Sequence, residues 1–202
     1  MANKLRIGID VDDTFFECLS HWVEYIHIRT DIPYSELSEM LDGGFHTFYK
    51  EVEQMTGIDV ISWWDDDKLY CRGTIKPKPM AAQIVRQWID DPRIDVTFIT
   101  SSMDSHVASK DMAIEYHVNR SSDLYTIVHE KEKWKHEFDV FIDDAEHNVV
   151  AYHNHHPFAF ILCPRMAINK SFCSGMGAKF AVDDWLDIAD KVGEVIKFRF
   201  GE

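Results

Sequence analysis

The chain has 202 residues, 46% of them hydrophobic, with 35 acids against 21 bases and a formal net charge of −14. That length suffices for one well-buried core with a small inserted subdomain, and the hydrophobic content excludes a disordered chain. The acidic balance argues against a sequence-independent grip on a nucleic-acid polymer, which needs a basic face, but leaves room for a small phosphorylated ligand held through a metal ion.

In chain order, the apolar run at residues 5–9 is short, uninterrupted and ended by polar residues, as expected of a strand buried on both faces. The runs at 94–99, 124–128, 140–142 and 158–162 read the same way, the last just after Pro157. Helical patterns fall between and after them at 80–89, 103–117, 131–136, 146–152 and 183–196. Strands alternating with helices imply a parallel sheet covered on both sides and joined by right-handed crossovers, a three-layer, Rossmann-like α/β fold.

Residues 16–76 break this rhythm. Segments 16–29, 34–41 and 45–55 read as helices, Asp42-Gly43-Gly44 as a turn, and Ile61-Ser62-Trp63-Trp64 as the opening of a further short element. The expectation is a helical insert of about sixty residues after the first strand. Pro77 and Pro79 mark where the chain returns. This divides the chain into an α/β core, 1–15 and 77–202, and a helical cap, 16–76. Residues 195–200 alternate apolar and basic side chains and fit a helix end or an edge strand equally.

In a parallel sheet, ligands bind beyond the carboxyl ends of the strands. The first strand delivers Asp10, Asp12 and Asp13 there, the second Thr100, Ser101 and Ser102, and the fourth Asp143 and Asp144. Lys131, Lys133 and Lys135 stand just ahead of that fourth strand, and spacing favours Lys133 for the site. Carboxylates crowded this closely repel one another unless a hard divalent cation sits among them. Mg²⁺ commonly takes one or two carboxylates plus a substrate phosphate. One carboxylate can then attack a phosphoryl group and a second protonate the leaving oxygen, while Thr100 and a lysine donate to the equatorial oxygens. Asp13 is read equally as a helix cap or as a partner behind the acids.

Asp10-Val11-Asp12-Asp13-Thr14 is similar to the DxDx[TV] signature of the haloacid dehalogenase (HAD) superfamily of phosphatases. Phe98-Ile99-Thr100-Ser101 resembles its second motif, Lys133 its third and Phe141-Ile142-Asp143-Asp144 its fourth, in the same order, across residues 5–162. Within the superfamily the chain most resembles the 5′(3′)-deoxyribonucleotidases and related nucleotidases. The grounds are Ile99-Thr100-Ser101, Ile142-Asp143-Asp144 with a lysine ten residues earlier, the helical segment after the first motif, and Trp64 followed by acids and Pro77-Lys78-Pro79.

The resemblance implies a Mg²⁺-dependent phosphomonoesterase that works through a phosphoaspartate on a nucleoside monophosphate, by preference a deoxynucleotide. Asp10 would be the nucleophile, Asp12 the general acid and base, and Thr100, Ser101 and Lys133 the phosphate binders. Mg²⁺ would be held by Asp10, the backbone carbonyl of Asp12 and the Asp143-Asp144 pair, with Asp144 making the direct bond. Two positions depart from the family: Asp13 and Thr14 stand where glycine is usual, and Cys18 stands where an aromatic would stack on the base. Phe15, Phe16, Trp22 and Trp63 are the candidates to replace that aromatic, and the other aromatics of the insert are read first as its core.

Other readings are a phosphatase of a sugar phosphate or another small metabolite, and a non-catalytic phospho-ligand-binding protein. The second has no need of an acid at Asp12. A receiver domain also combines acids, a hydroxyl and a lysine, but its phosphorylated aspartate ends a middle strand and it carries no such insert. Cys18, Cys71, Cys163 and Cys173 form no CxxC pair, so reduced, packed thiols are expected rather than a disulfide framework or a zinc ribbon. His147, His153, His155 and His156 fit no zinc spacing and read as a polar helix end before Pro157. The first residues lack the apolar core of a signal peptide and no run is long enough to span a bilayer, so a cytoplasmic protein is expected, with a homodimer left open.

Overall fold

The computed structural model describes residues 4–42, 45–59, 70 and 74–201. Six strands form one sheet: β1 Leu5–Ile9, β2 Ile94–Thr100, β3 Tyr125–His129, β4 Val140–Ile142, β5 Phe160–Pro164 and β6 Ala181–Val182. Their order is β3-β2-β1-β4-β5-β6, and every pairing is parallel. This is the three-layer, Rossmann-like α/β arrangement expected from the alternation. Ile7 pairs with Val96 on one side and with Val140 on the other, so β1 is the strand at which the order reverses. Side-chain alternation sorts the core onto the two faces. Val140 and Ile142 join Ile7, Ile9, Phe98 and Leu162 on one face, whereas Phe141 joins Ile99, Ile161 and Cys163 on the other.

Helices α1 Cys18–Thr30, α2 Tyr34–Asp42 and α3 Phe45–Thr56 follow β1. The chain leaves and returns side by side: the Lys78 amide donates to the Phe15 carbonyl at 2.7 Å, and the Glu17 amide to the Lys76 carbonyl at 2.9 Å. Gly43 and Gly44 of the expected turn, the Ile61-Ser62-Trp63-Trp64 segment and Cys71 lie outside the described residues. The remaining helices are α4 Ala81–Asp90, α5 Val107–Val118, α6 Glu146–His155, α7 Lys170–Ser174 and α8 Trp185–Phe200. Residues 195–200 are therefore helical. The expected helix at 131–136 contracts to a single 3₁₀ turn, Lys133–Lys135. Cys18, Cys163 and Cys173 are buried free thiols. Among the described residues, no helix is long and apolar enough to cross a membrane.

Candidate active site at the sheet's reversal point

Where the strand order of an open parallel sheet reverses, neighbouring crossovers go to opposite faces and leave a crevice beyond the carboxyl ends. Here that crevice lies between β1 and β4, and the Asp10 amide closes its floor by donating to the Ile142 carbonyl at 2.8 Å. The chain then turns tightly, with the Phe15 and Phe16 amides both donating to the Val11 carbonyl, at 3.1 and 2.9 Å. Asp13 takes the left-handed conformation this turn requires, φ 58°, which aspartate tolerates better than most residues. Its Oδ1 accepts the Leu19 amide at 2.8 Å in the first turn of α1. Of its two readings, that contact is the helix cap's. Burial pushes the Asp13 carboxyl up to about 7, against the Leu19 hydrogen bond.

Asp10, Asp143 and Asp144 come together: each offers one carboxylate oxygen, and these oxygens lie within 4.8 Å of one another. The three side chains are almost fully buried, at 5%, 0% and 5% exposure. Lys133, itself buried, donates to Asp10 Oδ1 and to Asp143 Oδ2, the latter at 2.7 Å. Lys131 and Lys135 are exposed. Asp143 also accepts from the Ala145 amide at 2.9 Å and from Asn148 Nδ2 at 3.0 Å. Asp144 is oriented by Thr14, whose hydroxyl donates to Asp144 Oδ1 at 2.8 Å and accepts the Asp144 amide at 2.9 Å. The indole of Trp185 on α8 pins the Thr14 carbonyl at 2.9 Å.

One ammonium does not neutralise three buried carboxylates. Burial outweighs Lys133 and pushes Asp10 up to about 7, with Asp143 and Asp12 adding to the rise. Burial and the neighbouring acids push Asp144 well above the ordinary range. A close set of hard oxygen donors with unmet negative charge fits a divalent cation of the Mg²⁺ or Ca²⁺ type and does not fit a soft metal.

Asp12 stands apart from this trio. Its Oδ2 accepts from Lys110 Nζ on α5 at 2.7 Å, and its Oδ1 from the Tyr70 hydroxyl at 3.0 Å and Cys18 Sγ at 3.2 Å. Although burial alone would raise Asp12, Lys110 holds its carboxyl below the usual range. Lys110 also donates to Thr100 Oγ1 at 3.1 Å and to the Ser101 carbonyl at 3.4 Å. Thr100 is buried and Ser101 exposed. The hydroxyl cluster expected from the second strand does not converge whole, because Ser102 Oγ turns to His129 Nδ1 at 2.9 Å.

Three expected base-stacking candidates are corrected. Phe15, Phe16 and Trp22 are all 0% exposed, packed into the core by edge contacts with Phe98, Trp185 and His117 or, for Trp22, by stacking on Tyr25. The fourth, Trp63, lies outside the described residues. The histidines around α6 serve that helix and its neighbours: His155 stacks on Trp134 at 4.0 Å between ring centroids, and His156 Nε2 bonds the Trp134 carbonyl at 2.7 Å.

Sequence reasoning passed over Lys110 and Tyr70, and read Thr14 only as part of the first signature, without its bond to Asp144. For Lys110 a signal existed. It shares the buried face of α5 with Ala113, Ile114 and Val118, and a lysine in an apolar stripe at helical spacing demands a partner.

No family model matches the chain, and neither does any curated protein. Among solved structures, the chain is similar to a HAD-superfamily hydrolase, subfamily IA, variant 1, from Geobacter sulfurreducens PCA. The TM-score is 0.49 at 10% identity, covering 86% of this chain and 98% of that one. It is also similar to a haloacid dehalogenase-like family hydrolase from Xanthomonas campestris, with TM-score 0.35 at 14% identity, covering 72% of this chain and 76% of that one.

Proposed function

We propose that the protein is a Mg²⁺-dependent phosphomonoesterase of the HAD superfamily, nucleotidase-like, that works through a phosphoaspartate on Asp10. One observation carries this reading: three buried carboxylates meet at the reversal point around Lys133, and Asp12 stands two residues beyond Asp10 on a separate ammonium. A site built only to hold a cation has no use for that fourth, separately held acid.

In this reading Asp10, Asp144 and the Asp12 carbonyl would hold Mg²⁺ with Asp143 behind them. When bound, the metal would supply positive charge to the phosphoryl oxygens and relieve the repulsion among the acids. A carboxylate oxygen of Asp10 attacks phosphorus, and the bond to the ester oxygen breaks. Asp12, whose carboxyl Lys110 holds low, takes the proton of the substrate's phosphate monoanion and hands it to that oxygen, then takes one from the water that cleaves the acyl phosphate. Lys133 holds Asp10 in place and faces the charge that develops on the phosphoryl group, while Thr100 and Ser101 lie at the tip of β2 for its remaining oxygens. The division into a core, 1–15 and 77–202, and a cap, 16–76, belongs to the same proposal. Asp10 and Asp144 are each 5% exposed, so substrate entry calls for the helical insert to open and close.

The first substrate class is a nucleoside monophosphate, by preference deoxy. A second reading, a sugar phosphate or similarly small ester, is favoured by the burial of Phe15, Phe16 and Trp22, which leaves none of the three to stack on a base. A screen of phosphate esters with Mg²⁺, measuring released phosphate, separates them. Nucleotide turnover supports the first reading, and sugar-phosphate turnover without nucleotide turnover transfers the assignment to the second. Turnover of no ester supports a phospho-ligand-binding protein. In the same assay Asp10→Asn should lower turnover by roughly 10³-fold or more with an unchanged circular dichroism spectrum. Near-native turnover by that variant rejects covalent catalysis at Asp10.

A further inference from the structure

The Lys110 side chain is 1% exposed, whereas that of the Asp12 it binds is 29% exposed. The ammonium therefore approaches Asp12 from the protein interior and leaves the outer edge of the carboxylate toward solvent. Its three hydrogens meet three acceptors: Asp12 Oδ2 at 2.7 Å, Thr100 Oγ1 at 3.1 Å and the Ser101 carbonyl at 3.4 Å. The Tyr70 ring closes over it, with Nζ 4.8 Å from the ring centroid, and the Tyr70 hydroxyl reaches the other oxygen of the same carboxylate at 3.0 Å.

A buried ammonium of this kind is a poor stabilising device. Taking it out of water is costly, and an apolar side chain of the same length commonly serves stability as well or better. What the ammonium does achieve is geometric. It fixes the rotation of one carboxylate and ties it to the tip of β2, so that Asp12 and Thr100 keep a set separation. Proton transfer to a leaving oxygen depends on such placement, since the donor must lie within hydrogen-bond reach of its target.

We infer that Lys110 is a positioning residue that holds the Asp12 carboxylate where it passes a proton to the leaving oxygen, without itself touching substrate. This rests on the phosphatase reading above. Phosphoryl transfer to Asp10 breaks the bond to the ester oxygen, which departs with the proton that Asp12 relays from the substrate's phosphate monoanion. An acidic phenol departs without that proton, and an alkyl alcohol does not.

The test compares wild-type protein with Lys110→Met on p-nitrophenyl phosphate and on the best-turned-over nucleoside or sugar monophosphate, in Mg²⁺. The quantity compared is kcat/KM, which covers binding through departure of the leaving group. General-acid placement contributes on the order of 10²-fold, so kcat/KM for the alkyl ester should fall about 100-fold while that for the aryl ester falls less than about 3-fold. Equal losses on both esters, or no loss on either, overturn the inference, because action through Thr100 or general misfolding does not discriminate between leaving groups. Mg²⁺ binding measured by calorimetry should be retained, since Lys110 does not touch the carboxylate trio. If Lys110→Met folds poorly, Lys110→Arg carries the same comparison with the charge kept and the geometry changed. Wild-type protein that turns over neither ester rejects the phosphatase reading itself, an outcome distinct from an unselective Lys110 variant.

Discussion

Lys133 sets the charge balance of the trio, because it is the cation bonded to both Asp10 and Asp143. Removing one partner from a buried ion pair leaves the other charge uncompensated, at a cost of about 3 kcal/mol. Lys133→Met keeps most of the volume and discards the charge. Without divalent cation, at about pH 8, its melting temperature should fall by roughly 6–12 °C, taking 2–4 °C per kcal/mol for a chain of this size. Mg²⁺ should return part of that loss, since the metal supplies the missing positive charge. An unchanged metal-free melting temperature, read by scanning fluorimetry, contradicts this balance. At this scale the sequence was informative at strand ends: Asp10, Asp143 and Asp144 meet because β1 and β4 are neighbours, and Lys133 joins them from the turn that leads into β4. It was silent where a partner arrives from the side. Thr14, Tyr70 and Lys110 reach the acids through packing of the first turn, the insert and α5, and no strand end points to them.

At the scale of elements, β1 shows how a single position fixes a layer. Gly8 lies in the middle strand, paired with Thr97 and with Phe141. A Cβ added there would lie 2.3 Å from the Phe138 ring. That ring has little room to retreat, since it stacks against both Phe141 and Tyr152 at 6.3 Å between centroids and the Phe138 amide donates to the Tyr152 hydroxyl at 2.7 Å. Gly8→Ala should therefore destabilise by about 1–3 kcal/mol, the usual cost of overpacking, visible as a lower urea midpoint with an unchanged slope. Equal stability would mean that the layer relaxes freely. The elements legible in advance were continuous apolar runs or clear helical stripes. β6 spans two residues and α7 five, too short for any period. The ambiguous tail becomes helix because Val195, Ile196 and Phe200 continue the buried stripe of Trp185, Ile188 and Val192. Only the whole of α8 makes that stripe visible.

For the whole molecule, the buried acids couple metal, protons and stability. Burial pushes Asp10 and Asp13 up to about 7 and Asp144 well above the ordinary carboxylate range. The folded, metal-free protein therefore binds more protons than the unfolded chain from the ordinary carboxylate value, 3.8, up to about 7. Stability changes with pH in proportion to protons bound unfolded minus folded, and here that difference is negative. Metal-free stability should thus decline as pH rises through that window. The net charge of −14 adds general self-repulsion in the same direction, which matched NaCl screens. Mg²⁺ competes with these protons for the same oxygens, so its stabilisation should be small near pH 5 and large near pH 8, both approximate settings for the comparison. At a hundredfold excess over the dissociation constant it amounts to about 2.7 kcal/mol, roughly 5–11 °C in melting temperature. Melting curves in EDTA and in Mg²⁺ at equal ionic strength test this directly. A Mg²⁺ shift that is the same at both pH values, or larger in acid, contradicts metal binding by the trio, because proton competition permits only the opposite order.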